Sequence, residues 1–104
     1  MPAPDKRIKP ILDRIDSGFR EVSIDVGWYD IVASLDRELS NLDPKYVVHQ
    51  VKEKFGGLRY YCSLKSEEAK TLIERAEEEA SRTCEKCGRP GVFSPFVVRC
   101  AECK

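Results

Sequence analysis

Cys84-Glu-Lys-Cys87 and Cys100-Ala-Glu-Cys103 present two pairs of thiols at one spacing, with twelve residues between the pairs. A Cys-x-x-Cys turn offers two sulfurs from one tight loop, and two such turns complete the tetrahedral thiolate set that zinc prefers. Gly88 directly follows the second cysteine. Without a Cβ there, the chain can curl so that backbone N–H groups point at the sulfurs. Pro90-Gly91 then turns the chain away from the knuckle. The stretch Val92-Phe93-Ser94-Pro95-Phe96-Val97-Val98-Arg99 reads as two short β pieces around a Ser-Pro bend, which makes residues 84–104 a zinc ribbon. A thioredoxin-like redox motif would need a single Cys-x-x-Cys opening a helix after a strand. A pair of disulfides would need an oxidising compartment. Neither fits as well as one structural Zn2+ per chain, held by Cys84, Cys87, Cys100 and Cys103. With all four positions filled by protein, no coordination site stays open for a catalytic water.

Other residue types that could do chemistry lack partners. Cys62 lies in the strand-like run Leu58-Arg59-Tyr60-Tyr61-Cys62-Ser63-Leu64 and reads as a small buried hydrophobe. His49 is the only histidine, so it reads as an ordinary strand residue. No nucleophile stands with a base. Lys54-Phe55-Gly56-Gly57-Leu58-Arg59 is a Gly-Gly turn between strands, without the helix that would receive a phosphate. The expectation is therefore a protein that is not an enzyme.

The elements that must position the cysteines follow from periodicity. Ile8, Ile11, Leu12, Ile15 and Phe19 fall at helical spacing, with Pro10 near the start and Gly18 as the stop. Trp28, Ile31, Val32, Leu35, Leu39 and Leu42 form a second stripe, opening near Asp25–Gly27 and ending before Asp43-Pro44. Two β-rich runs, 46–55 and 58–64, join across Gly56-Gly57 as a hairpin. Ser66-Glu67-Glu68 caps a third helix whose stripe of Ala69, Leu72, Ile73, Ala76 and Ala80 leads into Cys84. The fold class is thus α+β. Residues 1–83 form a small domain of helix, helix, hairpin and helix, with the ribbon 84–104 packed on it as one structural unit.

At 104 residues with 18 basic and 18 acidic side chains, the chain is small and formally neutral, which argues against a simple polyanion clamp. No apolar run approaches the 18 or so residues of a membrane span, and the first residues lack the apolar stretch of a signal peptide, so the expected location is the cytoplasm. Charge is nonetheless uneven. Residues 1–44 carry six basic against nine acidic groups, and residues 66–82 three against six. Residues 45–65 hold Lys45, Lys52, Lys54, Arg59 and Lys65 against Glu53 alone, and residues 83–104 hold four basic groups against two acidic ones. The hairpin and the ribbon are the basic pieces, with Tyr60 and Tyr61 interleaved in the former.

"GWYDIV", "QVKEKFGGLRYY" and "TCEKCGRPG" together resemble a family of small, largely uncharacterised proteins of tailed phages and prophage-bearing bacteria, over roughly residues 25–103. The resemblance implies an α+β fold with a terminal zinc knuckle and a phage or bacterial-host setting, but no established activity. The family pattern often has Asp two places before the tryptophan, where this chain has Val26 with Asp25 one earlier. Some members end the second knuckle in histidine, where this chain has Cys103. Both departures leave the cysteine set complete.

Three functional readings follow. The first is a small zinc-stabilised module that binds a protein partner, for instance a host factor, through an apolar patch around Val92, Phe93 and Phe96. The second is a nucleic-acid-binding ribbon using Lys52, Lys54, Arg59, Tyr61, Lys86 and Arg89. The third is a protein that sequesters a small ligand, which requires a concave pocket. A homodimer through the helix faces is compatible with each.

Overall fold

The computed structural model describes residues 5–16, 21–94 and 96–103. Its α+β architecture has three helices, α1 (Lys9–Arg14), α2 (Tyr29–Leu42) and α3 (Glu67–Ala80). A three-stranded sheet is built from β1 (Val22–Ser23), β2 (Val48–Lys54) and β3 (Gly57–Cys62), and a separate hairpin from β4 (Val92–Ser94) and β5 (Val97–Arg99). In the larger sheet β2 is central, parallel to β1 and antiparallel to β3. No helix among the described residues is long and apolar enough to cross a membrane.

The second and third helices form where periodicity places them. A short 3-10 turn over Val26–Trp28 leads into α2, whose stripe of Ile31, Val32, Leu35 and Leu39 is buried. The Ser66 side chain accepts the Ala69 N–H at 3.2 Å, which satisfies one orphan donor at the start of α3. That helix buries Ala69, Ala76 and Ala80, and side chains this small let it pack tightly.

Helix α1 is shorter than its apolar stripe suggests. It ends at Arg14, and Ile15 turns extended to bridge Val48 in parallel, while the Asp16 N–H donates to the Val48 carbonyl at 3.2 Å. Ile15 remains buried, but as an added rung at the sheet rather than as helix. Gly18 and Phe19, the expected stop and last stripe residue, lie outside the described residues, as does Pro95 of the Ser-Pro bend.

The hairpin turn also sits one residue earlier than the Gly-Gly pair implies. Lys54 pairs with Gly57, so the turn is centred on Phe55 and Gly56, at φ +54° and +82°. Positive φ at both central positions is the type I′ geometry that matches strand twist. Between Val48 and Gln50 the register shifts, and this irregularity lets Val48 and Val51, three residues apart, both reach the core.

One buried polar network ties the helices to the sheet. Arg14 Nε donates to Asp36 Oδ1 at 2.8 Å, the Tyr46 hydroxyl donates to the same oxygen, and the Tyr46 and Tyr60 hydroxyls lie 2.8 Å apart. Burial pushes both phenols up, so they stay protonated.

The ribbon shares the core of the body through Val98, which is fully buried among the residues of the main cluster. Its seat is Gly27-Trp28. The Gly27 N–H donates to the Glu85 carbonyl at 2.9 Å, and Trp28 Nε1 donates to the Thr83 carbonyl at 2.9 Å. A Cβ on Gly27 would fall 2.2 Å from the Cys84 carbonyl oxygen and 2.5 Å from the Glu85 carbonyl carbon, both backbone atoms. Gly27→Ala should therefore destabilise the fold by at least about 3 kcal/mol in urea denaturation, at the upper end of overpacking costs. Gly57→Ala is the control: its Cβ would come within 2.8 Å only of the movable end of Arg59, with the Lys54 carbonyl oxygen at an ordinary contact distance of 3.4 Å, and should cost less than about 1 kcal/mol.

Candidate metal centre and the surface beside it

The first knuckle is built as α3 runs out. Thr83 pairs with Pro90, the Cys84 N–H donates to the Arg89 carbonyl at 2.7 Å, and the Gly88 N–H donates to the Cys84 carbonyl at 2.9 Å. Gly88 has φ +83°, a conformation that a Cβ disfavours. The second knuckle follows β5, where the Cys103 N–H donates to the Cys100 carbonyl at 3.1 Å. Backbone pairing of β4 with β5 brings the two turns together.

The result is a cage. All four Sγ atoms lie within 4.8 Å of one another, and those of Cys87 and Cys100 are 3.6 Å apart. Four sulfurs around a tetrahedral ion at about 2.3 Å would stand about 3.8 Å apart, so the set is of the right size to hold one. At that distance Cys87 and Cys100 are not bonded to each other, and all five cysteines are free. Cys84 and Cys100 are buried, Cys103 is half-buried and Cys87 faces solvent.

The thiols are electrostatically unequal. Burial pushes the Cys84 thiol up, but the N–H groups of Cys100, Cys87 and Lys86 and the Cys87 thiol outweigh it and hold it down to about 6. Cys103 is pushed up to about 12, chiefly because it shares hydrogen bonds with Cys100 and Cys87. Like acids this close cannot all ionise without a cation. Ion uptake must release protons, and affinity falls as pH falls.

The basic residues do not form one surface. Strand register puts Lys52 opposite Arg59, with Lys54 and Tyr61 on the same outward face of β2–β3. Arg59 is half-buried and donates from Nη1 to the Leu58 carbonyl at 3.2 Å; burial pushes the Glu77 carboxyl up, and the charge of Arg59 partly offsets this. Lys86 and Arg89 stand at the knuckle, each paired with a carboxylate: Lys86 with Asp25 at 2.9 Å, Arg89 with Glu102. Tyr60 turns inward and is buried, whereas Tyr61 is exposed. Cys62 is buried, which pushes its thiol up, as expected of a residue that packs. His49 Nδ1 lies 3.0 Å from Asp16 Oδ2 on the surface.

Apolar side chains gather instead. Val92, Phe93 and Phe96, expected at the surface, are 75%, 55% and 62% exposed. Phe55, at the hairpin tip and 64% exposed, joins them, its ring 5.6 Å from that of Phe96. Gly56 makes the contact between the two hairpins: a Cβ there would fall 2.9 Å from the Phe93 ring and 2.9 Å from the Val97 nitrogen. Phe55 and Phe96 are also the two non-glycine residues among those described with positive φ, at +54° and +74°. A bulky side chain in that region costs roughly 1–2 kcal/mol. Placing Phe55 in the turn, rather than in the strand before it, was the signal that could have found it.

No family model, curated protein or solved structure matches the chain. The concave feature nearest the seat of the ribbon is a cleft of about 290 Å3 bounded by Glu21, Asp25, Glu53 and Glu85. Most of these carboxylates are engaged: Glu85 by Arg99 and the Val98 N–H, Asp25 by Lys86, and Glu53 by the Gly56 N–H.

Two outcomes test this geometry. Cys103→Ser, or truncation after Glu102, should abolish stoichiometric metal content by elemental analysis. Amide exchange should then accelerate over β4–β5 while β2–β3 stays protected; full metal retention would refute the cage. Phe55→Asn should hold stability or raise it by up to about 1 kcal/mol in thermal melts, because Asn-Gly suits a type I′ turn. An ordinary packed phenylalanine would cost about 3–5 kcal/mol on truncation.

Proposed function

We propose that this chain is a zinc-stabilised binding module that works by protein–protein contact rather than catalysis. The ion is assigned as Zn2+ because four thiolates from two Cys-x-x-Cys turns form a closed tetrahedral set, the donor pattern of structural zinc sites. With the tetrahedron filled by Cys84, Cys87, Cys100 and Cys103, the metal's role is to close the ribbon. Iron would suit the same donors, and elemental analysis of protein from metal-balanced medium separates the two.

One observation carries the interaction reading. Three phenylalanines are more than half exposed, Phe55 and Phe96 meet across two hairpin tips with the Phe93 ring beside Gly56, and two of them occupy backbone positions that favour Gly or Asn. Exposed apolar patches of this kind, with strained residues at their centre, mark recognition surfaces. The phage or prophage setting that the motifs imply belongs to the same proposal, with a host protein in the cytoplasm as the partner.

The nucleic-acid reading keeps Lys52, Lys54, the half-buried Arg59 and Tyr61 on one face, but Lys86 and Arg89 are each paired with a carboxylate at the knuckle. Surface ion pairs are weak, worth about 0–1 kcal/mol, so this reading is tested directly. Labelled single- and double-stranded DNA and RNA should show no anisotropy change with zinc-loaded protein at 50 mM salt. Binding that weakened on the order of 100-fold by 200 mM salt would indicate about four phosphate contacts and displace the protein-interaction reading. In affinity capture from a bacterial lysate, a stoichiometric partner held by the wild type should be lost with Phe55→Asn/Phe96→Asn.

A further inference from the structure

The aromatic patch is bordered by lysines on the side of the β2 strand face. Lys54 Nζ lies 5.8 Å from the centre of the Phe55 ring, within reach of a cation–π contact, and Lys52 follows on the same strand face. Among the described residues neither lysine is in an ion pair, in contrast to Lys86 and Arg89. Glu53, the carboxylate between them in sequence, is turned back onto the Gly56 N–H at 2.8 Å. A partner that covers the phenylalanines therefore meets the Lys54 ammonium at the edge of the apolar contact, with Lys52 further along the same strand face.

The size of the patch restricts what can cover it. Phe55, Phe93 and Phe96 together present roughly 350 Å2, from their exposed fractions and the area of an aromatic side chain. A stable interface needs about 800 Å2 from each partner. A second copy docking patch to patch would fall short of that and would bring Lys52 and Lys54 of both copies together. A nucleic acid could stack on the rings, but it would find only Lys52, Lys54 and the half-buried Arg59 for its phosphates, too few for tight binding. A short peptide with large apolar side chains and flanking carboxylates matches both the area and the sign of the border.

We propose that the Phe55–Phe93–Phe96 patch and its lysine border dock a short acidic segment of a partner protein, anchored by one or two large apolar side chains. This rests on reading the patch as a protein-binding surface. The apolar anchors cover the rings, and Asp or Glu beside them reaches Lys52 and Lys54. Affinity is then modest and salt-sensitive, and much of the discrimination between partners comes from charge.

The test is selection of an mRNA-displayed random 12-residue peptide library on the zinc-loaded full chain, with counter-selection on Phe55→Asn/Phe96→Asn. Thermal melts of that variant verify that it is folded. The expected result is enrichment of Asp and Glu next to Phe, Trp, Leu or Ile. The best labelled peptide should lose at least tenfold in affinity with Lys52→Glu/Lys54→Glu, and more than severalfold between 50 and 500 mM salt. Patch-dependent peptides without an acidic bias would overturn this partner chemistry and leave the binding surface standing. Absence of any patch-dependent peptide would overturn the surface as well. Tight binding of a 20-nucleotide oligothymidylate that competes with the peptides would assign the patch to nucleic acid instead. A dimer in sedimentation that Phe55→Asn/Phe96→Asn dissolves would assign it to a second copy.

Discussion

The backbone of Gly27 lies against Cys84 and Glu85 more closely than any side chain would allow, and the rest of the structure is arranged around that contact. It joins the start of α2 to the first cysteine knuckle, two segments more than fifty residues apart in the chain. Trp28 adds a hydrogen bond from its indole to Thr83, and its ring fills the core beside the junction. The ribbon is thereby fixed at one position and orientation on the body. Lost clearance at Gly27 would cost more than the local clash, because the carbonyls it meets belong to the segment that carries Cys84.

The metal cage and the hydrophobic core support each other through this junction. A chain of this size buries a modest core and has a net stability on the order of 5–15 kcal/mol. Val98 is the ribbon's fully buried contribution to that core, and it sits two residues before Cys100. Its neighbour Glu85 is buried too, held by Arg99 and by the Val98 N–H. An ion drawing the four sulfurs together would thus also hold Val98 and Glu85 in place. The free energy of metal uptake at these cysteines would be coupled to the packing of the whole β4–β5 hairpin rather than to the knuckles alone.

Order in the ribbon matters for the surface because the aromatic cluster is composite. Phe55 comes from the body, while Phe93 and Phe96 come from the ribbon, and Gly56 leaves room for the second hairpin to approach the tip of the first. Two phenylalanines sit at φ values where asparagine or glycine would be less strained. Backbone strain at exposed positions gives nothing to the core. It does hold two aromatic rings side by side in solvent, which is the physical basis for treating the cluster as a recognition surface.

Much of this protein is legible in its residue order, where a rule of local chemistry applies. Two Cys-x-x-Cys turns, the first followed by Gly88, point to a four-cysteine cage whatever the body looks like, because ligand spacing is a property of the loop. The stripes of α2 and α3, the Ser66 cap and the existence of the β2–β3 hairpin follow from period and capping, which are likewise local. Tertiary structure decided the rest. The Phe55-Gly56 turn, rather than Gly56-Gly57, depends on cross-strand register, which is set by which strand faces reach the core. The early end of α1 depends on a sheet position beside Val48 that Ile15 can occupy, and β1 exists as a strand through its pairing with Val51 and Lys52. Ion pairing of Lys86 with Asp25 and of Arg89 with Glu102 split a set of basic residues that composition had grouped together. The role of Gly27 was the least visible. Its need for a bare Cα arises only where a distant backbone segment crosses it, and nothing local to residues 25–30 carries that information.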